Sequence, residues 1–502
     1  MMRVANRPMA GFSFPTPYTI LILVIALAAF ATWLLPAGTY DTLSYNADRS
    51  KLILTAAEGE RELEPRQRTL DSLQIRVALE KFTNGDIRRP VAVPGSYRRV
   101  EAEPQGIMAV IKAPIRGVYE AIDVILFVLV IGGFIEVFSR SGAFAAGIQS
   151  LSTRLKGRES WLVIILTALF ALGGTTYGMG EECIAFYPVL VPIFLAAGYD
   201  LLVPLAVIFG GAAIGFMAST INPFATIIAS DAAGISWTVG LWGRVLMWVI
   251  GTAMLAAYII RYGRRVQVDR SRSLSAETAP AFVPQMSDVP AALDGKARLL
   301  LIMFGVTFVA MVIGVSRLGW WFPEMTALFL VAAVLVGLVR GGGEKKFTTE
   351  FVQGAAGLLG VALIIGIARG VTLVMDDGQI SGTLLYYSAR AVEDMPKSIF
   401  IVALMLVFAG LTLFISSASG LAVVTMPIMA PLATVVGVPT EQIVNAYLYG
   451  LGLMSFITPT GLILPSLAMV GVSYAAWLRF ILPFLGLMGM VAALFLIVGV
   501  LI

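Results

Sequence analysis

Four short polar runs interrupt otherwise apolar stretches of this chain, and their residue types suit binding of a small charged solute. They are Gly173-Gly174-Thr175-Thr176-Tyr177-Gly178-Met179-Gly180-Glu181-Glu182, Ser219-Thr220-Ile221-Asn222-Pro223, Ser416-Ser417-Ala418-Ser419-Gly420 and Ile457-Thr458-Pro459-Thr460-Gly461. An unwound turn leaves free N–H groups at one half-helix and free C=O groups at the other. The N–H ends suit a carboxylate, whereas the C=O ends, with Ser, Thr and Asn oxygens, suit Na⁺. The candidate solute ligands are therefore Thr175, Thr176, Ser219, Thr220, Asn222, Ser416, Ser417, Ser419, Thr458 and Thr460. Ser219, Asn222, Thr458 and Glu181 are the candidate ion ligands. Glu181 and Glu182 suit a proton, Na⁺ or a substrate ammonium, or else face water at a hairpin tip. Arg369, inside an apolar span, has the fork to clamp a carboxylate or to pair internally with Glu136.

Each run alone reads more readily as packing, because Gly and Pro are common in membrane helices and Ser/Thr often only join them. Four together point to a site. Asp200, Asp376 and Asp377 fall at expected helix ends and read as solvated. Asn445 reads as a site contact or as polar glue, Trp320-Trp321 as an interfacial anchor and Cys183 as a small core residue.

The elements that must position these residues follow from composition. Of 502 residues, 58% are hydrophobic and 13% charged, with a mean hydropathy of +0.88; soluble domains carry about 25% charge. The solvent must be mainly lipid. The absence of His and the single cysteine exclude His-based sites, disulfides and cysteine clusters. No phosphate loop, His-Glu-x-x-His or Gly-x-Ser-x-Gly occurs, so energy comes from an ion or solute gradient or transport is passive. No cofactor is expected beyond a coupling Na⁺ or H⁺. The net charge of +4 calls for no nucleic acid.

Spans of roughly 20 residues are needed to cross the bilayer. They read near 18–36, 120–138, 201–219, 237–260, 298–318, 323–340, 355–374, 441–470 and 479–501. The stretches 160–198 and 398–437 are apolar at both ends and broken centrally, as expected of re-entrant hairpins. Residues 1–36 form the N-terminal segment, 37–106 an extracytoplasmic insertion and 107–265 a first half, with a broken helix near 201–230. A cytoplasmic linker, 266–296, leads to a second half, 297–502, with a broken helix near 441–470. Arg140, Arg154, Lys156, Arg158, the arginines from Arg261 to Arg272, Arg340, Lys345 and Lys346 cluster at junctions that share one face. With Arg3 and Arg7, they put the N-terminus in the cytoplasm and the C-terminus outside.

The halves repeat. Pro188, Pro192 and Gly198 recur 239 residues later as Pro427, Pro431 and Gly437. Ser219, Ile221 and Pro223 recur 236 later as Ser455, Ile457 and Pro459, and Gly142 as Gly378. On this topology the copies are inverted, the mark of many secondary transporters. A channel would use the same halves. A membrane enzyme would have only Glu181 and Glu182 to work with.

Several further motifs carry a family resemblance. They are Phe14-Pro15-Thr16-Pro17-Tyr18-Thr19-Ile20, Leu35-Pro36-Ala37-Gly38, Pro104-Gln105-Gly106-Ile107 and Ala113-Pro114-Ile115. With them stand Thr175 to Glu182, Asn222-Pro223-Phe224-Ala225, Met426 to Leu432 and Ile457 to Gly461. Together they span most of the chain and resemble YfcC-type members of the C4-dicarboxylate anaerobic carrier (DcuC-like) family, within the ion transporter superfamily. The resemblance implies an all-α polytopic fold of scaffold plus transport domain, with two re-entrant hairpins, two broken helices and elevator-type movement. It places the tips at Thr175 to Glu182 and Ser416 to Gly420, and the unwound points at Ser219 to Pro223 and Thr458 to Gly461. The Ser-Asn-Thr tip signatures of dicarboxylate symporters are absent; only Ser219-Thr220-Ile221-Asn222 has similar chemistry. The family's names also cover basic amino acid antiporters, and Glu181 with Glu182 suits a cationic amine. The expectation is an inner-membrane secondary transporter for an amino acid or organic acid, ion-coupled or exchanging, and dimeric through its scaffold helices. The rival within the class is a Na⁺-coupled C4-dicarboxylate symporter.

Overall fold

The computed structural model describes residues 15–75, 78–83, 90–143, 146–147, 150, 158–275, 294–318, 320–392, 395–415 and 417–501. Ser416, Arg3, Arg7, Arg154, Lys156 and most of the 266–296 linker lie outside the described residues.

Helix α1 (Pro17–Leu34) starts where the Thr16 hydroxyl accepts the Thr19 amide, with Pro17 in the first turn, where an N–H has no helical partner anyway. The chain then turns to β structure. Strands β1 (Gly38–Thr39), β2 (Thr42–Asn46), β3 (Lys51–Ala56) and β4 (Gly59–Leu63) precede short helices α2 (Gln67–Ser72) and α3 (Leu79–Thr83), then β5 (Val91–Ala92) and β6 (Arg98–Arg99). Antiparallel order β4-β3-β2-β5 sets Leu43 opposite Leu54 and Leu52 opposite Leu63, while β1 pairs with β6. Leu43, Leu52 and Val91 bury one face with Leu70, Ile75 and Phe82. The all-α expectation is therefore corrected over the 37–106 insertion. Period-two alternation at Leu43, Tyr45, Leu52 and Leu54 is the strand signal there.

The first membrane series is α4 (Ile107–Glu120), α5 (Ile122–Ser139), α6 (Glu159–Thr176), a 3₁₀ turn at Glu181–Phe186 and α7 (Tyr187–Ala196). It continues with α8 (Leu202–Met217), a wide turn at Pro223–Ile227, α9 (Ile228–Ala232) and α10 (Leu241–Val268). The second is α11 (Gly295–Leu318), α12 (Phe322–Arg340), α13 (Glu344–Asp377), α14 (Ser381–Val392), α15 (Lys397–Phe414), α16 (Ala418–Val436), α17 (Thr440–Ser455), α18 (Ile463–Val470) and α19 (Tyr474–Leu501). Among the described residues nine helices are long and apolar enough to cross a membrane: α1, α5, α6, α10, α11, α12, α13, α15 and α19. Leu27, Phe30, Leu406, Met490 and Leu494 are exposed, as lipid contact requires. The expected span 201–219 is the single helix α8, 441–470 is broken between α17 and α18, and 355–374 belongs to a helix of 34 residues.

That helix, α13, runs antiparallel to α4 and α5 at backbone contact. A Cβ on Gly117 would lie 2.2 Å from the Gly366 carbonyl oxygen, and one on Gly354 2.2 Å from that of Gly132. Lipid-soluble helices gain little from apolar burial, so close small-residue packing holds them. At one end of this pair Arg340 forks onto buried Glu350 at 2.5 and 2.6 Å. Arg140 meets Glu136 at 2.7 Å one turn away. Glu136 lies beside Gly354, which corrects the expected Arg369–Glu136 pair. The β unit docks on α14: Tyr97 stacks on Tyr386 at 4.0 Å, and the Thr383 hydroxyl donates to the Pro36 carbonyl at 2.7 Å.

Candidate solute-binding site

Helix α6 stops because three successive amides, of Tyr177, Gly178 and Met179, all turn back onto the Gly173 carbonyl, at 3.2 Å each. Gly178 takes φ +81°, open to glycine without strain. Helix α8 runs parallel to α6 and almost touches it, since a Cβ on Gly215 would sit 2.0 Å from the Ala171 carbonyl oxygen. The end of α8 thus arrives beside the first tip. The Thr175 hydroxyl lies 2.9 Å from the Ala218 carbonyl and 3.2 Å from the Thr220 hydroxyl, and accepts the Thr220 amide at 3.0 Å. The Thr175 carbonyl accepts the Ile221 amide at 3.2 Å. Asn222 donates to the Gly174 carbonyl at 3.3 Å and caps the Phe224 amide at 2.8 Å. The Thr226 hydroxyl lies 2.5 Å from that of Ser219.

Ser219, Asn222 and Thr226 are wholly buried. Unwound backbone in a low-dielectric interior must find partners within the protein. Thr175, Ser219, Thr220 and Asn222 supply them, so these four sequence-predicted ligands knit the first tip to the first break. Thr176 instead returns its hydroxyl to Leu172 of its own helix at 2.6 Å. Sequence reasoning missed Thr226; its place seven residues after Ser219, across a proline, gave no signal.

The second tip and break are joined more loosely. Thr458 and Thr460 hydroxyls lie 2.9 Å apart, and Thr460 donates to the Leu413 carbonyl at 3.1 Å. Ser417 and Ser419 hydroxyls are 3.4 Å apart, and Ser417 accepts the Gly420 amide at 3.2 Å. Trp477 donates to the Phe456 carbonyl at 2.8 Å, and Tyr474 to that of Ile457. The four interruptions meet. A Cβ on Gly452 would sit 2.3 Å from the Met217 side chain, so the two broken helices touch near their breaks. A Cβ on Gly180 would sit 3.3 Å from Leu462, which joins the first tip to the second break. Helix α16 packs against the Pro223–Ile227 turn and α9, and α18 against the 3₁₀ turn and α7.

Three ionic groups stand in this neighbourhood, one of them hydrogen-bonded. Glu182 is buried, and its carboxylate accepts the Gly180 amide at 2.8 Å. Glu181, half-buried, has no hydrogen-bond or ion-pair partner among the described residues. Arg369, also half-buried, has none either. It stands one turn before Thr372, whose hydroxyl donates to the Phe414 carbonyl at the second tip at 3.3 Å, and its helix packs against α18. Helix α18 thus contacts both the turn that carries Glu181 and the helix that carries Arg369.

Other candidates fall elsewhere. Asp200 is not solvated: it accepts Tyr262 at 2.5 Å, Ser273 at 2.6 Å and Ser275 at 3.2 Å, tying the first hairpin to α10 and the linker. Asp377 pairs with Arg116, and Asp376 accepts Ser381 at 3.0 Å. Asn445 is glue, 3.5 Å from the fully buried Arg244, whose guanidinium also caps the carbonyls of Trp237 and Val239. Trp321 packs on Phe224 at 5.2 Å, just past the first break. Cys183 is buried. Among the described residues no cluster of three or more His, Cys, Asp or Glu could hold a metal.

The profile of the C4-dicarboxylate anaerobic carrier family, DcuC, matches residues 14–501. An uncharacterized protein of Haemophilus influenzae is 40% identical, with 99% of each chain covered. The putative basic amino acid antiporter YfcC of Escherichia coli is 28% identical, with 96% of each covered. Among solved structures, the Alcanivorax borkumensis YdaH transporter covers 96% of this chain and 98% of its own at 16% identity and a TM-score of 0.42. Neisseria gonorrhoeae MtrF covers 98% and 96% at 15% identity and 0.38. A polytopic helical chain, matched from end to end by a carrier profile, is an integral membrane protein of the C4-dicarboxylate anaerobic carrier (DcuC) family of membrane transporters.

Proposed function

We propose that this transporter is a secondary carrier of an amino acid, with the basic amino acids first in line, coupled to Na⁺ or H⁺ or exchanging one solute for another. The observation that carries this is a pair of unmatched charges on the two elements that α18 contacts, α13 and the 3₁₀ turn: Arg369 for the carboxylate and Glu181 for an ammonium. A half-buried charge without a partner is costly in a membrane interior, and a zwitterionic solute supplies both partners at once. Ser417, Ser419, Thr458 and Thr460, in the looser of the two knots, are the hydroxyls this reading assigns to the solute. The name of the Escherichia coli relative, putative basic amino acid antiporter YfcC, points the same way.

We further infer an inverted repeat and alternating access. In favour stand the matched series: α6 and α15 of 18 residues each, and α10 and α19 of 28 each. Gly198 and Gly437, which repeat in sequence, both close a hairpin with positive φ, +83° and +77°. In the moving-body form of this reading, the hairpins and broken helices slide against a scaffold of α1, α11 and α12 that also forms a dimer. The protein sits in the inner membrane with its N-terminus in the cytoplasm and its C-terminus outside. The second reading, a Na⁺-coupled C4-dicarboxylate symporter, rests on Arg369 as an unmatched cation and on the family's name.

Counterflow into proteoliposomes separates the readings. Vesicles preloaded with ornithine are expected to accumulate labelled arginine without a Na⁺ gradient, and Glu181→Gln to abolish it. Accumulation of labelled succinate only with Na⁺ outside would replace the amino acid reading by the symporter.

A further inference from the structure

At the turn between α12 and α13 a cavity of about 500 Å³ opens, lined by Arg140, Gly342, Lys345, Lys346, Thr349 and Glu350, with Gln353. Its charge follows from its pairs. Arg140 is matched by Glu136, and Glu350 by Arg340. Lys345 and Lys346 are exposed and have no ion-pair partner among the described residues. The lining and its ion partners therefore carry a surplus of two positive charges. Lys296 adds a third cation at the rim, donating to the Arg340 carbonyl at 3.1 Å. Thr349 and Gln353 offer neutral polar groups beside them.

The cavity also sits at a particular depth. Helix α12 ends at Arg340 and α13 starts at Glu344, both long enough to cross a membrane, so the turn lies where the bilayer meets water. Immediately on the membrane side stand Leu338, 72% exposed, and Val352, 58% exposed. Both are exposed apolar side chains of the single chain, Leu338 one turn before the loop on α12 and Val352 beside the lining residue Gln353 on α13. A cationic hollow at headgroup level above bare apolar flanks matches a molecule with a phosphate at one end and acyl chains at the other.

We propose that this cavity is a binding site for an anionic phospholipid, with the phosphate held between Lys345 and Lys346 and the acyl chains lying along Leu338 and Val352. The two lysines share α13 with Arg369 but precede it by 23 residues or more, about 35 Å along the helix at 1.5 Å per residue, and the site stands whatever solute the protein carries.

The test uses the full-length protein purified in a zwitterionic detergent, with retained and added lipid counted by native mass spectrometry. The probes are phosphatidylglycerol, phosphatidylcholine and glycerol phosphate. The variants are Lys345→Gln/Lys346→Gln and, as a control at another basic junction, Arg261→Gln/Arg265→Gln. Each juxtamembrane lysine contributes about fivefold to attraction for anionic lipid, so the lysine double variant is expected to hold phosphatidylglycerol about 30-fold more weakly. The control and wild type are expected to bind alike, with phosphatidylcholine and glycerol phosphate weak on all three. Equal loss in the control would reduce the effect to general surface charge and overturn the site. Binding of glycerol phosphate as tight as that of the lipid would overturn the lipid assignment. Phosphatidylglycerol binding unchanged in the lysine variant would overturn the proposal outright. Because both lysines are exposed, their replacement leaves the fold intact, which an unchanged melting profile verifies.

Discussion

Replacing Thr175 by valine removes one hydroxyl and almost no volume, which isolates the polar knot at the first tip. That hydroxyl bonds the Ala218 carbonyl at 2.9 Å and accepts the Thr220 amide at 3.0 Å. The Thr220 amide keeps a second acceptor, the Thr175 carbonyl at 3.1 Å, so the valine does not orphan it. The Ala218 carbonyl, at an unwound turn, loses its recorded partner. One lost bond and one unsatisfied buried acceptor together cost about 2 kcal/mol. Hydrogen bonds between membrane helices average about 0.6 kcal/mol, so the loss lies between about 0.6 and 2 kcal/mol. The neighbour provides the control: the Thr176 hydroxyl bonds only within its own helix, to Leu172 and Gly173, so Thr176→Val changes stability by less than about 0.5 kcal/mol. The assay is the thermal midpoint of each purified variant in detergent, paired with the transport KM. Thr175→Val is expected to melt earlier than both wild type and Thr176→Val. Equal midpoints for all three, with KM raised only by Thr175→Val, would make Thr175 a solute ligand and refute its assignment to packing.

Three further outcomes follow from the packing. Gly117→Val places a side chain where a Cβ already meets the Gly366 carbonyl oxygen at 2.2 Å; it should destabilise by more than the ~3 kcal/mol typical of overpacking, read as loss of folded protein on gel filtration. Glu350→Gln leaves the buried Arg340 guanidinium without its carboxylate fork and should cost about 3–5 kcal/mol, whereas Arg340→Met/Glu350→Leu should regain most of the midpoint. Asp200→Ala frees Tyr262, Ser273 and Ser275 and should speed proteolytic cleavage of the following linker several-fold, with unchanged cleavage counting against the tie.

Much of this arrangement was legible in the residues. The four Gly-, Pro- and Ser/Thr-rich runs coincide with the two tips and two breaks, because an unwound turn needs those residue types wherever lipid cannot solvate the backbone. The positions of most of the long apolar helices followed from length and hydropathy. What escaped was set by partners distant in sequence. Composition could not separate Thr175, locked onto Thr220 across 45 residues, from Thr458, which has only Thr460 as a side-chain partner. Glu136 looked like a match for Arg369, but its own helix supplies Arg140 one turn on. The strands of the β unit between α1 and α4 are only two to six residues long, too short for alternation to stand out among their turn residues.

The central claim is that Glu181 and Arg369 receive opposite ends of one solute. The most direct measurement is ligand-induced thermal stabilisation of wild type, Glu181→Gln and Arg369→Gln by ornithine, putrescine, valerate and succinate, each with and without Na⁺. A ligand at a hundred times its Kd raises stability by about 2.7 kcal/mol, well within reach of such a melt. The account predicts that ornithine stabilises wild type more than putrescine, which lacks the carboxylate, or valerate, which lacks the amines. Glu181→Gln should then favour valerate and Arg369→Gln putrescine. Stabilisation by succinate with Na⁺ alone, unchanged in Glu181→Gln, would contradict it.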